Sequence, residues 1–207
     1  MRRTSPALRF ALSALVLGAT LSSFGQSHPV EPGHRATAAP DFYEPYAFLI
    51  GEWDVAPEAG GPAFGRATLR WGPNRSYIWY ASSFLQGGKV VPHFEGLLVW
   101  NGVEKDLDML ISMDLNGGRV QEKGSVFVDR DGTVVREITA AYSEGVRPLG
   151  MPPAGPGGAS ARFRQTFRKA GPDRILTAAL RQEGAGWVAT FPGSDRLVMI
   201  RRPGFAS

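Results

Sequence analysis

From residue 65 onward the chain alternates apolar and polar residues with a period of two, the pattern of strands with one buried face. Residues 65–71 set Ala67, Leu69 and Trp71 on one face. Residues 76–85 set Tyr77, Trp79, Ala81 and Ser83 against Ile78, Tyr80 and Phe84. Residues 93–100 align Phe94, Gly96, Leu98 and Trp100. Residues 106–114 align Leu107, Met109, Ile111 and Met113 against Asp106, Asp108, Ser112 and Asp114. Residues 120–128 align Val120, Glu122, Gly124, Val126 and Val128, and residues 133–142 align Val134, Arg136, Ile138, Ala140 and Tyr142. Residues 161–169 carry Phe163, Gln165 and Phe167 on one face and Arg162, Arg164, Thr166 and Arg168 on the other. Residues 175–182 and 187–202 complete the series, the latter interrupted at 191–195 by a bulge or a turn between two strands.

Turn signals separate these runs: Gly72-Pro73-Asn74, Gly87-Gly88, Asn101-Gly102, Asn116-Gly117-Gly118, Asp131-Gly132 and Gly171-Pro172-Asp173. The spacing predicts an all-β fold of about nine or ten antiparallel strands. No helix is long enough for a crossover, so the chain reads as an up-and-down β-barrel, whose closure removes exposed sheet edges. A barrel of this size is wide enough to hold a small ligand.

Two stretches break the alternation. In residues 41–50, Phe42, Tyr46 and Leu49 or Ile50 recur at helical spacing; Asp41 is a candidate cap and Pro45 limits the length. A short helix or turn closing one barrel end is expected there, with Trp53 opening the first strand. Residues 145–160 hold four prolines and a run of glycines. Such a loop is either a lid, with Leu149 and Met151 folded over a cavity mouth, or a tolerated surface insertion.

The 207 residues, 43% hydrophobic and 20% charged, are those of a globular chain with a real core. Residues 1–25 stand apart. Arg2, Arg3 and Arg9 precede an apolar run, and Ser23 and Gly25 supply a small-residue cleavage site, the layout of a secretory signal peptide. Residues 26–40 then read as a flexible leader, and 41–203 as the barrel domain. An exported, periplasmic or extracellular protein is expected, with no integral membrane segment once the signal is removed. Removal leaves 20 basic against 19 acidic residues of the original 23 and 19, so a nucleic-acid partner is not indicated. There is no cysteine, which excludes disulfides, thiolate metal sites and a lipidated anchor. His28 and His34 fall in the leader, and no metal-ligand spacing appears.

The segment Phe48-Leu49-Ile50-Gly51-Glu52-Trp53, followed by hairpins up to Leu197-Val198-Met199-Ile200-Arg201-Arg202, resembles the calycin-type barrels: lipocalins, fatty-acid-binding proteins and nitrobindin-like barrels. The nearest likeness is to a lipocalin-like bacterial family of unknown function, distantly nitrobindin-like. Resemblance to nitrobindin implies haem held by a histidine on a late strand and glycines after the entrance tryptophan. Here Trp53 is followed by Asp54-Val55-Ala56-Pro57 and no histidine follows His93. The haem ligand is therefore not carried over, and no cofactor is assigned.

The candidate chemistry lies in the strands. Glu122 and Arg136 keep the phase of their apolar neighbours on strands joined by the Asp131-Gly132 turn. They form either a polar handle for a ligand or a structural ion pair. The expected cavity lining is Trp71, Trp79, Trp100, Met109, Glu122, Arg136, Phe163 and Phe167; equally, aromatics that fill a barrel are simply its core. His93, after Pro92, is expected as a solvated rim histidine. Three functions follow: a non-catalytic barrel binding a small apolar molecule; an enzyme with acid–base chemistry at Glu122 or Glu95 on a small lipid- or sterol-like substrate; or an envelope interaction protein using the basic face Arg162, Arg164, Arg168 and Lys169.

Overall fold

The computed structural model describes residues 41–115, 118–147 and 152–204. The expected signal peptide and leader lie outside the described residues, as do Asn116 and Gly117 of one expected turn and Leu149 and Met151 of the expected lid. Eleven strands follow in chain order: β1 (Gly51–Pro57), β2 (Gly65–Trp71), β3 (Ile78–Gln86), β4 (Lys89–Asn101), β5 (Asp106–Leu115), β6 (Gly118–Val128), β7 (Val134–Tyr142), β8 (Ala159–Gly171), β9 (Arg174–Glu183), β10 (Gly186–Ala189) and β11 (Leu197–Arg201).

Strands β1 to β9 pair antiparallel, each with the next, and β11 joins β9 to β1. The result is a closed ten-strand antiparallel barrel with β10 as an extra strand. Both β10 and β11 use the same edge of β9: β10 pairs with residues 180–183 and β11 with residues 174–177. The interruption at 191–195 is the turn between these two strands. Its neck is held by Ser194, whose hydroxyl donates to the Ala179 carbonyl at 2.7 Å and accepts from the Phe191 N–H at 3.2 Å.

One end of the barrel is plugged. Residues Glu44–Leu49 form a 3-10 helix with Tyr46 and Leu49 buried. The Asp41 carboxylate accepts the Tyr43 N–H at 3.0 Å, two residues on, and also meets Arg75 at 2.7 Å. Tyr43 donates through its hydroxyl to the Ser76 carbonyl and accepts from the Trp100 N–H, while Tyr46 donates to the Val126 carbonyl. The plug is thus bonded to β4, to β6 and to the turn before β3.

Trp53 anchors the closure. It is fully buried, and its indole N–H donates to the Leu49 carbonyl at 2.8 Å. The Arg201 guanidinium lies over its ring, 4.2 Å from the centroid, and donates to the Ile50 carbonyl at 2.8 Å. A second arm of Arg201 meets Asp173 in the β8–β9 turn at 3.1 Å. Gly51 has φ +147, and a Cβ there would lie 2.2 Å from Arg201 Nη1, so a glycine is required where the arginine crosses.

The core is the inward row of each strand: Leu69, Ile78, Leu98, Leu107, Met109, Ile111, Val120, Val126, Val134, Ile138, Ile175 and Met199 are buried. Gly124 breaks the inward row of β6 for a steric reason. A Cβ there would meet the Glu137 carbonyl oxygen at 2.0 Å and Ile138 Cα at 2.7 Å. Gly124→Ala is expected to cost about 1–3 kcal/mol of stability through this overpacking. Gly155→Ala, whose added methyl meets open space, is expected to stay within about 0.5 kcal/mol. Urea unfolding of the two variants beside the parent checks both.

Candidate functional site

Away from the plug the inward rows do not meet, and they leave a cavity of about 310 Å³, at the lower end of the ordinary range for small-molecule sites. Its apolar wall includes Val55, Ala67, Phe84, Phe94, Ile138, Phe163, Leu197 and Met199. Phe64 and Phe191, edge to face at 5.7 Å, stand on the β10–β11 side.

Glu122 and Arg136 both reach this cavity. Arg136 stands opposite Val126 in the β6–β7 register, and Glu122 opposite Ala140. The arginine therefore runs diagonally past Gly124, which offers no side chain, and its Nη2 donates to Glu122 Oε2 at 2.5 Å. Nε donates to the Met109 sulfur and Nη1 to Gln165 Oε1, each at 3.0 Å. Both charged side chains are about nine-tenths buried. Burial pushes the Glu122 carboxyl above its ordinary range, and the Arg136 charge opposes that push. Such a pair is electrostatically balanced but costly to dehydrate. Tyr80 and Tyr142 also line the cavity, and burial pushes both hydroxyls up, so they stay neutral.

His93 is the residue whose environment departs most from expectation. It is not a solvated rim histidine but part of the cavity wall. The β3–β4 register shifts there: Ser82 pairs with Phe94 and Ser83 with Pro92. His93 is thus the extra residue of a β-bulge, a device that re-aims side chains. Its ring lies 4.5 Å from Phe84 and 5.0 Å from Phe94, centroid to centroid. Desolvation first, and the Arg136 charge second, pull its pKa down to about 4. The available sequence signal was Pro92, a residue that a regular interior strand tolerates only at an edge or bulge.

The expected lining residues divide among three places. Glu122, Arg136 and Phe163 border the cavity, and Met109 lies beneath the ion pair. Phe167 is buried between Val134 and Thr177 in the plugged half. Trp71 and Trp100 pack on the plug instead: Trp71 meets the Tyr43 ring edge-on, and Trp100 stacks on Phe42 at 4.6 Å. Trp79, expected in the lining, does not face the cavity. It pairs with Arg70 on β2 and Leu97 on β4, on the outer wall, with the Arg70 guanidinium over its ring. Alternation alone cannot say which face of β3 is the inner one, and Ile78 and Tyr80 take it. Glu95 is likewise on the outer, exposed face.

A closed antiparallel barrel of this kind fits the calycin-like barrels in general. Neither the protein-family models nor the curated proteins contain a match to this chain. Among the described residues no cluster of histidine and acidic side chains converges for a metal ion. No helix among them is long and apolar enough to cross a membrane. On the outer face, Arg164 and Arg162 both reach Glu137, and both guanidinium groups lie over Trp187, so part of the expected basic face is internally neutralised.

Two outcomes follow. Glu122→Leu is expected to cost about 3–5 kcal/mol by leaving the Arg136 charge buried and uncompensated, whereas adding Arg136→Met should recover most of that loss; a double-mutant cycle by urea unfolding measures it. In the unfolded chain this histidine protonates near pH 6.5, while folded His93 resists until about pH 4. Its contribution is therefore intact above the unfolded value and lost as pH falls, by about 3 kcal/mol across that window. His93→Phe should flatten that part of the stability–pH curve relative to the parent.

Proposed function

We propose that this protein is an exported, lipocalin-like barrel that binds a small, largely apolar molecule in its interior without transforming it. The observation that carries this reading is the 310 Å³ cavity, apolar over most of its wall and furnished with a few convergent polar groups, the usual make-up of a ligand site. The calycin-like architecture supports it at the level of the fold only. The finer likeness, to lipocalins or nitrobindin, rests on Gly51-Glu52-Trp53 and the closing strand. Export to the periplasm or beyond rests on the charged, apolar and small-residue regions of residues 1–25.

A second reading has one observation in its favour. Glu122 is a buried carboxyl held above its ordinary range, as a general acid or base would be. Its short contact to Arg136 argues for a structural or ligand-orienting part, because the partner that balances it also occupies it. Under the enzymatic reading Glu122→Gln would abolish turnover of a bound substrate while leaving its binding in place.

Uptake of Nile red, an uncharged fluorescent probe of apolar environments, tests the binding reading directly. Ala67, buried on the cavity wall, points its methyl into the space. Ala67→Phe is expected to keep the fold and reduce dye affinity at least about tenfold by filling the cavity. Trp79→Ala, on the outer wall, is expected to leave it unchanged. Native mass spectrometry of protein purified from its own cell envelope, with an absorption spectrum, names the natural ligand class. An empty protein that also excludes the dye overturns the reading.

A further inference from the structure

The polar groups of the cavity wall restrict the chemical class of a ligand. Glu122 and Arg136, the charged pair in the cavity wall, already compensate each other. Two other wall cations are paired on the outer face, Arg164 with Glu137 and Arg66 with Asp54, and Arg147 is exposed at the rim. An ionised group entering the deep cavity would lose its hydration without meeting an uncompensated opposite charge, which is heavily penalised.

The polar groups that remain suit a different partner. His93 carries an uncharged imidazole, with one donor and one acceptor nitrogen. No described residue forms a hydrogen bond with that ring. Arg136 has five N–H donors, and three of its bonds go to Glu122, Gln165 and Met109. Both residues border the same ring, Phe94: the His93 centroid lies at 5.0 Å and the Arg136 guanidinium carbon at 5.4 Å. Thr190, about nine-tenths buried on the cavity wall, also has a hydroxyl without a hydrogen-bond partner among the described residues. Donors and acceptors are thus offered together, with no net charge. A hydroxyl, which both donates and accepts, satisfies such a set.

We propose that the ligand is an uncharged apolar molecule bearing a hydroxyl group, and that His93, turned inward by the β4 bulge, is the residue that receives the hydroxyl proton in a hydrogen bond. This inference rests on the cavity reading above.

Displacement of Nile red from the full-length protein at pH 7 tests it, with 1-decanol, decanoate and decylammonium as competitors of equal chain length. Decanol is expected to displace the dye at concentrations at least about tenfold below either ion. His93→Phe keeps an aromatic ring between Phe84 and Phe94 but removes both nitrogens. It is expected to weaken decanol about three- to tenfold relative to decanoate and decylammonium, with each competitor measured against the variant's own dye affinity. Decanoate or decylammonium matching decanol overturns the proposal while leaving the cavity reading in place, as does unaltered decanol affinity in a folded His93→Phe. Failure of the dye and of all three competitors to bind overturns both. Should His93→Phe not fold, the comparison of the three competitors on the parent protein still decides.

Discussion

Everything in this barrel depends on its closure, and closure is concentrated at Trp53 and Arg201. The two residues come from the first and last strands and are paired in register. Around them the indole N–H takes the last carbonyl of the plug helix, and the guanidinium takes the next. Arg201 also grips Asp173 in the β8–β9 turn. One contact thus fastens first strand, last strand, plug and an adjacent turn. A cation over a buried indole is held in place by attraction to the ring face and by directed hydrogen bonds. Were the whole β1–β11 seam lost, both strands would present open edges, and the interior would not be enclosed.

The interior is divided in two by how side chains fill it. Toward the plug, large residues from many strands meet, and Phe167, Leu107, Ile78 and Val134 leave little room. Toward the other end the inward positions include Ala67, Ser82 and Ala179, which are small, and space remains. The Glu122–Arg136 pair borders that space. Its position is set by an absence, because Gly124 vacates the path that the arginine follows. Burying two charges in this way adds little net stability. It does impose direction on an otherwise apolar chamber, since the bonds to Gln165 and Met109 fix the guanidinium in one orientation.

His93 shows how a local irregularity creates chemistry. In a regular ladder, His93 and Phe94 would point to opposite sides of the sheet. The one-residue bulge at Pro92–Phe94 brings both rings to the cavity. Once there, the imidazole loses water and faces the field of Arg136, so it remains neutral through physiological pH. A side chain that would be an unremarkable surface base becomes a buried, uncharged hydrogen-bonding group.

The sequence by itself determined the barrel. Clean alternation in residues 106–114, 120–128 and 133–142, with Asn-Gly and Asp-Gly turns between, leaves few alternatives to antiparallel hairpins, because a one-residue slip would send every apolar side chain to water. The inward pairing of Glu122 with Arg136 was legible for the same reason: both share phase with apolar neighbours on strands joined by a tight turn. What only the tertiary structure decided is where a chosen face points when both faces are apolar or aromatic. Tyr77 and Trp79 compete with Ile78 and Tyr80 on β3, and periodicity is symmetric between the two sets. Packing against Leu69 and Leu98 breaks the tie, sending Trp79 outside. Depth along the barrel is decided the same way. Trp71 and Trp100 have the inward phase but sit at the plugged end, where the fold of a different segment, residues 41–50, claims them. Phase is a local property of one strand, whereas the depth of a cavity depends on what every other strand contributes at the same level.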